Sequence, residues 1–270
     1  MKNKTKKILL LSDLNSATDK MLKTTVCLAK IIHGEIEIFN VKKPTEIVDI
    51  DNQLSAMRSI NTEYSVIDKK LKKQIEAISK DSEIDITYSF AFGNPKNEIR
   101  KYIEEHRPDI VVVGKRNYKS LNVVGDNITG FVLNAFHGPI LISSDKRALE
   151  PEVKLSLGVL NGLKPSSKVE FSEDLMAHVQ SPIRSFKFVM NSEALKINED
   201  SRDKEIREYA FEYNSKTIEG LPKYVAKNDV DLLYVNRKNK GQDDGTGLKK
   251  SDIKNIIKQS DISVLVSNVH

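Results

Sequence analysis

Residues 111–144 read VVVGKRNYKSLNVVGDNITGFVLNAFHGPILISS. The apolar run closes on Gly114, a polar loop follows, a helical pattern starts near Ile128, and PILISS is a second apolar run. A short strand that is apolar on both faces belongs in a parallel sheet covered by helices on both sides. The decisive segment is therefore a strand, loop, helix, strand unit, and its loop lies where an open α/β sheet binds ligands.

The same alternation extends upstream. KILLLSD (7–13) is a strand, and Met21, Leu22, Val26, Leu28, Ala29 and Ile32 fall largely on one face of the helix after it. GEIEIFNV resumes strand character, a long helical stretch runs from about Leu54 to Ser79, and IDITYSFAFG is another strand. A helix begins near NPKNEIRKYIEEH and leads into DIVVVG. Strands alternating with helices in this way predict a five-stranded doubly wound α/β domain over residues 1–146.

The second half repeats the first in weakened form. PDIVVVGKRN (108–117) aligns without gaps with VDLLYVNRKN (230–239), and PILISS with SVLVSN (263–268). Asp109 then matches Asp231, and Gly114 matches Asn236. VKLSLGVLNG, SKVEFSEDLMAHV, RSFKFVMN and KTIEGLPKYVAKN supply a strand, a helix, a strand and a later helix broken or bent at Pro222. Too little chain lies between FVMN and EYAFEYN for a long second helix. The expected second domain, 152–270, is a reduced copy joined through SSDKRALEPE, and the closing strands PILISS and SVLVS are expected to pair.

Composition narrows the function classes. The chain has 270 residues, no Trp and a net charge of +5 from 43 basic and 38 acidic residues without a long basic block. That gives no support for nucleic-acid binding. Its apolar runs are too short to span a bilayer, so no membrane contact and a cytoplasmic location are expected. The single Cys27 and five scattered histidines offer no metal spacing, and no nucleophile has a paired base. Neither a catalytic constellation nor a metal site emerges.

The strand-end aspartate in LLLSDLNSATDKML, the strand end IFNV, the FGNPKNEI turn and the final strand, GKRN loop, helix, GPILIS layout resemble the universal stress protein family in its tandem form. The resemblance implies two Rossmann-like open parallel-sheet domains, similar to the adenine nucleotide alpha hydrolases, with the second one reduced. It also implies a stress-regulatory role, ATP binding at the strand ends in many members, and pairing through the last strands. In the family the aspartate matching Asp13 contacts the nucleoside, and the backbone of the valine matching Val41 meets adenine.

The family's phosphate loop reads Gly, two residues, Gly, about nine residues, then Gly and Ser or Thr, so that bare N–H groups and a hydroxyl receive phosphate. Gly114 fits the first position. Asn117 stands at the second glycine, and Asp126 and Asn127 stand where Gly and Ser/Thr belong. Shifting by one residue makes Gly125 the glycine but puts Asp126 at the hydroxyl. A carboxylate about 4 Å from a phosphate charge costs ~1 kcal/mol at water's dielectric and about 4 kcal/mol at an effective dielectric of ~20. Lys115 and Arg116 offset this if they turn inward, whereas basic residues after a strand usually face solvent. Asp126 or Asn127 can instead cap the helix.

Two functions follow. One is a stress-linked regulatory or scaffolding protein that contacts an unidentified protein partner, with ATP or AMP bound weakly or not at all. The alternative is an ATP-dependent switch using the first half, with slow hydrolysis.

Overall fold

The computed structural model describes residues 5–14, 18–46, 53–79, 83–115, 127–150, 152–160, 172–190, 206–237 and 249–268. Asn117, Gly125, Asp126, Arg116 and Ser16 lie outside the described residues, as do most of the second-half loop after Arg237 and the segment 191–205. In the first half, β1 (Lys6–Leu11), α1 (Thr18–Ile32), β2 (Gly34–Lys42), α2 (Gln53–Ser79) and β3 (Ile86–Phe92) are followed by α3 (Pro95–His106), β4 (Ile110–Gly114), α4 (Ile128–Ala135) and β5 (Ile140–Ser143). In the second half come β6 (Leu157–Leu160), α5 (Ser172–Ala177), β7 (Ile183–Val189), β8 (Ile206–Glu212), α6 (Ser215–Lys227), β9 (Leu232–Arg237), α7 (Lys250–Gln259) and β10 (Ser263–Asn268).

Among the described residues, ten strands join one sheet in the order β3-β2-β1-β4-β5-β10-β9-β6-β7-β8. Every neighbouring pair is parallel except β5 and β10, which run antiparallel with Leu141 opposite Leu265. The second half thus retraces the strand order of the first. Two apolar layers flank the sheet. One joins Leu22, Ile67, Leu71 and Leu175 from α1, α2 and α5. The other joins Ile99, Val132, Leu221 and Ile256 from α3, α4, α6 and α7.

Matched positions in the halves make matched bonds. The Asp109 carboxylate accepts from Lys7 N at 2.8 Å, and the Asp231 carboxylate accepts from Ser156 N at 2.9 Å. Each aspartate's own N–H returns a bond to the same partner's carbonyl. Asp231 also pairs with Arg147 at 3.0 Å, and its side chain is only 14% exposed. Bonds to an ionised group contribute about 1.5–3 kcal/mol. Asp231→Ala is therefore expected to lower stability by about that amount in urea unfolding, and Asp109→Ala, whose bond is exposed, by less. Equal, negligible losses would contradict the assignment.

Several elements differ from their sequence reading. The apolar face of α1 is not its only buried one: Thr24, Thr25 and Ile31 are buried too. The second cover comes from α5, Leu149 and Leu155, with Leu149 N donating to Thr24 Oγ1 at 3.1 Å. The joining segment is accordingly packed: Ser144 Oγ donates to Asp261 O at 2.6 Å, Lys146 pairs with Asp261 at 2.7 Å, and Lys20 Nζ donates to Asp145 O at 2.9 Å. Helix α6 runs unbroken through Pro222, where only the donor to the preceding turn is missing, because Ile218, Leu221, Pro222 and Val225 together bury one face.

The face of β7 and β8 that corresponds to the α2-covered face of β2 and β3 is mixed: Ile183 is buried in the same apolar layer, but Ser185, Lys187, Glu208 and Glu212 make it more polar. Register places Ser185 beside Glu208 and Lys187 beside Ala210, and Lys187 pairs with Glu208. On the first-half counterpart, Ile38 stands beside Tyr88 and Asn40 beside Phe90, with Ile67 and Leu71 of α2 in the same apolar layer.

Candidate functional site

The carboxyl ends of β1, β2 and β4 lie side by side where an open α/β sheet binds ligands, and a buried polar network underlies them. Asn40 Nδ2 donates to Ser12 O at 2.8 Å, Ser12 Oγ accepts from Leu14 N at 3.1 Å and lies 3.3 Å from Thr18 Oγ1. Leu14 is held in the left-handed region at φ 57° with its side chain buried, and its carbonyl accepts from Lys70 Nζ of α2. A non-glycine residue in that region costs about 1–2 kcal/mol, so the turn is held by these contacts against its own preference. Asn40 Oδ1 is buried with no hydrogen-bond partner among the described residues.

Asp13 stands exposed at the end of this turn, and Val41 is half-buried at the end of the adjoining strand. The network beneath them was not legible: nothing in IFN or LSD distinguishes Asn40 and Ser12 as partners until β1 and β2 are in register. Lys70 was hidden by the same limit, being one of several lysines along α2.

Where β4 leads into α4, the described Gly114, Lys115, Asn127 and Thr129 make bonds within the protein. A Cβ on Gly114 would lie 3.1 Å from Met21 Sδ, a tight contact that the Met21 side chain would have to relieve by a small shift. The Gly114 carbonyl accepts from Thr129 Oγ1 at 3.2 Å. Asn127 is the N-cap of α4, its Oδ1 accepting from Gly130 N at 2.8 Å. A Cβ on Gly130 would lie 2.5 Å from Asn127 Nδ2, so glycine is what lets the cap fold over the helix end. The reading of Asn127 as a cap matches this geometry.

Lys115 neither enters the crevice nor faces solvent. Its Nζ donates to Ser260 O at the C-cap of α7, and its N–H bonds Ser143 O at 3.0 Å. Half-burial lowers its pKa below the usual lysine value. The sequence offered no sign of this, because Ser260 belongs to the other half.

In the second half, Asn236 Oδ1 at the position of Gly114 is buried without a partner among the described residues. The start of α7 is tied by Asp252, which accepts from Lys249 N at 2.8 Å and from Tyr213 OH at 2.9 Å.

A separate cavity of about 200 Å³ opens at the amino ends of the first-half strands, lined by Lys7, Glu35, Glu37, Asp85, His106 and others. Beside it, burial raises the Tyr102 pKa, and the hydroxyl is held by Glu37 and Ser89. Burial also pushes the Cys27 thiol up to about 12, which leaves it inert. Among the described residues no cluster of His, Cys, Asp or Glu could hold a metal ion, and no helix is long and apolar enough to cross a membrane.

The model of the universal stress protein family matches residues 4–143. No curated protein matches the chain. A universal stress protein from Archaeoglobus fulgidus has a similar structure, with a TM-score of 0.66 at 14% identity, covering 98% of each chain. A universal stress protein from Pseudomonas aeruginosa, described as putative, gives a TM-score of 0.57 at 10% identity over 98% of this chain and 93% of its own. At those identities the likeness carries the fold alone, while the family match spans more than half of the sequence. The chain, a mostly parallel α/β sheet with an aspartate at its first strand end, belongs to the universal stress protein family.

Proposed function

We propose that this stress-response family member acts as a regulatory or scaffolding protein through protein contacts, and that ATP is weak or lost at its first-half crevice. The observation carrying the reading is the closed start of α4. Asn127 Oδ1 takes the Gly130 N–H that an anion would otherwise receive, and Thr129 spends its hydroxyl on Gly114 O. Lys115, the described cation next to this loop, is engaged with Ser260. Asp126, adjoining the cap in sequence, adds a like charge to any phosphate. The residues do not fit a triphosphate.

A second reading, an ATP-dependent switch, is favoured by the exposed Asp13 beside half-buried Val41, which leaves the base end accessible. The test is to compare ATP binding by the natural protein with that of the double variant Asp126→Gly, Asn127→Ser. The natural protein is expected to bind ATP more weakly than about 1 mM, and the variant about tenfold more tightly, which corresponds to ~1.4 kcal/mol. An unimproved variant would count against the capping argument, and natural binding well below millimolar would favour the switch.

A further inference from the structure

Asp13 is bracketed by two residues whose backbone groups are all bonded. Ser12 N donates to Phe39 O at 3.0 Å, and Ser12 O accepts from Asn40 Nδ2 at 2.8 Å. Leu14 N donates to Ser12 Oγ at 3.1 Å, and Leu14 O accepts from Lys70 Nζ. The first three of these bonds close within β2 and the residues that follow β1, whereas the last reaches in from α2, 56 residues along the chain.

That bond acts on the residue least able to keep its own conformation. Leu14 lies at φ 57°, where a side chain is disfavoured, and it is buried in the same apolar layer as Ile67 and Leu71 of α2. One turn further along α2, Gln74 Nε2 donates to Asp19 Oδ1 at 3.3 Å, in the first turn of α1. Ile67, Lys70, Leu71 and Gln74 recur at helical spacing, so one face of α2 holds both the exit of β1 and the start of α1. A charged donor holds a carbonyl more firmly than a neutral one.

We propose that Lys70 is a positioning residue for the nucleoside end of the first-half crevice: it fixes the Leu14 carbonyl and, through it, the direction in which the Asp13 carboxylate is presented. This rests on the reading that the base end is accessible. The second half fits, because it lacks both parts. No counterpart of α2 stands among its described residues. Counting from Ser156, whose bonds match those of Lys7, the sequence has Gly162 in the place of Asp13.

Hydrogen exchange on the full chain tests the positioning without a ligand, and a ligand-detected NMR titration with adenosine, which carries no phosphate, tests its consequence. In Lys70→Met the amides of residues 12–14 are expected to exchange about tenfold faster and adenosine to bind about tenfold more weakly, with an unchanged circular dichroism spectrum. Lys70→Arg is expected to restore both, since a guanidinium reaches the same carbonyl. Lys73→Met, which removes the same charge from an exposed position of the same helix, is expected to change neither. Exchange that Lys70→Met leaves unchanged, or that Lys73→Met speeds equally, overturns the positioning. Equal adenosine affinity in the natural chain and in Lys70→Met overturns its consequence for the site. A natural chain that takes up no adenosine overturns the reading of an accessible base end, while the exchange result still decides for or against Lys70.

Discussion

Residues 1–150, expressed alone, are expected to aggregate or to form a new dimer instead of remaining monomeric. Two surfaces cause this. Strand β5 is buried throughout and hydrogen-bonded to β10, so truncation leaves a bare apolar edge in the middle of the former sheet. Truncation also strips α5, Leu155 and the β6 side of the layer from α1, exposing parts of a helix that is buried almost all round. An exposed apolar face next to an open strand edge is a standing template for association. Light scattering of the fragment measures it directly. A soluble monomer at high concentration would mean that the second half is dispensable to the first.

Phe186→Ala is expected to cost about 3–5 kcal/mol, a large share of the roughly 5–15 kcal/mol that holds a typical domain folded. Phe186 is fully buried between Tyr209, Phe211 and Tyr224, with ring centroids 5.5, 6.4 and 6.3 Å away. Its ring also lies over Gly158: a Cβ there would stand 2.8 Å from Phe186 Cε2. The site cannot collapse easily, because its neighbours are rigid rings on a sheet and the position beneath has no side chain. Denaturant unfolding monitored by circular dichroism gives the loss, and a value under about 1 kcal/mol would show that this aromatic cluster is not the core of the second half.

The architecture was legible where strands are covered on both faces. β1, β4 and β5 are continuous apolar runs, and their helices carry clear periodicity, so the order of elements in the first half follows from pattern alone. The polar character of Ser185, Lys187, Glu208 and Glu212 likewise fits a second half in which the cover of α2 has no counterpart among the described residues. What periodicity missed depends on contacts between distant segments. Thr24 and Thr25 lie outside the apolar face that periodicity picks out on α1, yet both are buried, and Thr24 Oγ1 accepts from Leu149 N more than a hundred residues later. Lys115 reads as a solvated base after a strand, yet its partner is a helix C-terminus in the other half. Pro222 reads as a break or a bend; the helix is continuous from Ser215 to Lys227, with Pro222 on its buried face.

At the crevice, residue types were readable and their partners were not. Asn127 could be recognised as a possible cap from its place before Ile128, since Asn is favoured there. Gly130 had no meaning until the cap was seen folded over it. Asp13 could be placed at a strand end, but the Ser12, Asn40 and Thr18 network that holds the turn needs the register of β1 with β2.

Calorimetric titration of the natural protein with ATP and with AMP, each with and without magnesium, bears most directly on the proposed loss of phosphate binding. If Asn127, Thr129 and Lys115 keep their protein partners, the added phosphates gain nothing, and ATP is expected to bind no more tightly than AMP, with magnesium making no difference. ATP binding about tenfold or more tighter than AMP, a gain of ~1.4 kcal/mol from the β- and γ-phosphates, would contradict the account.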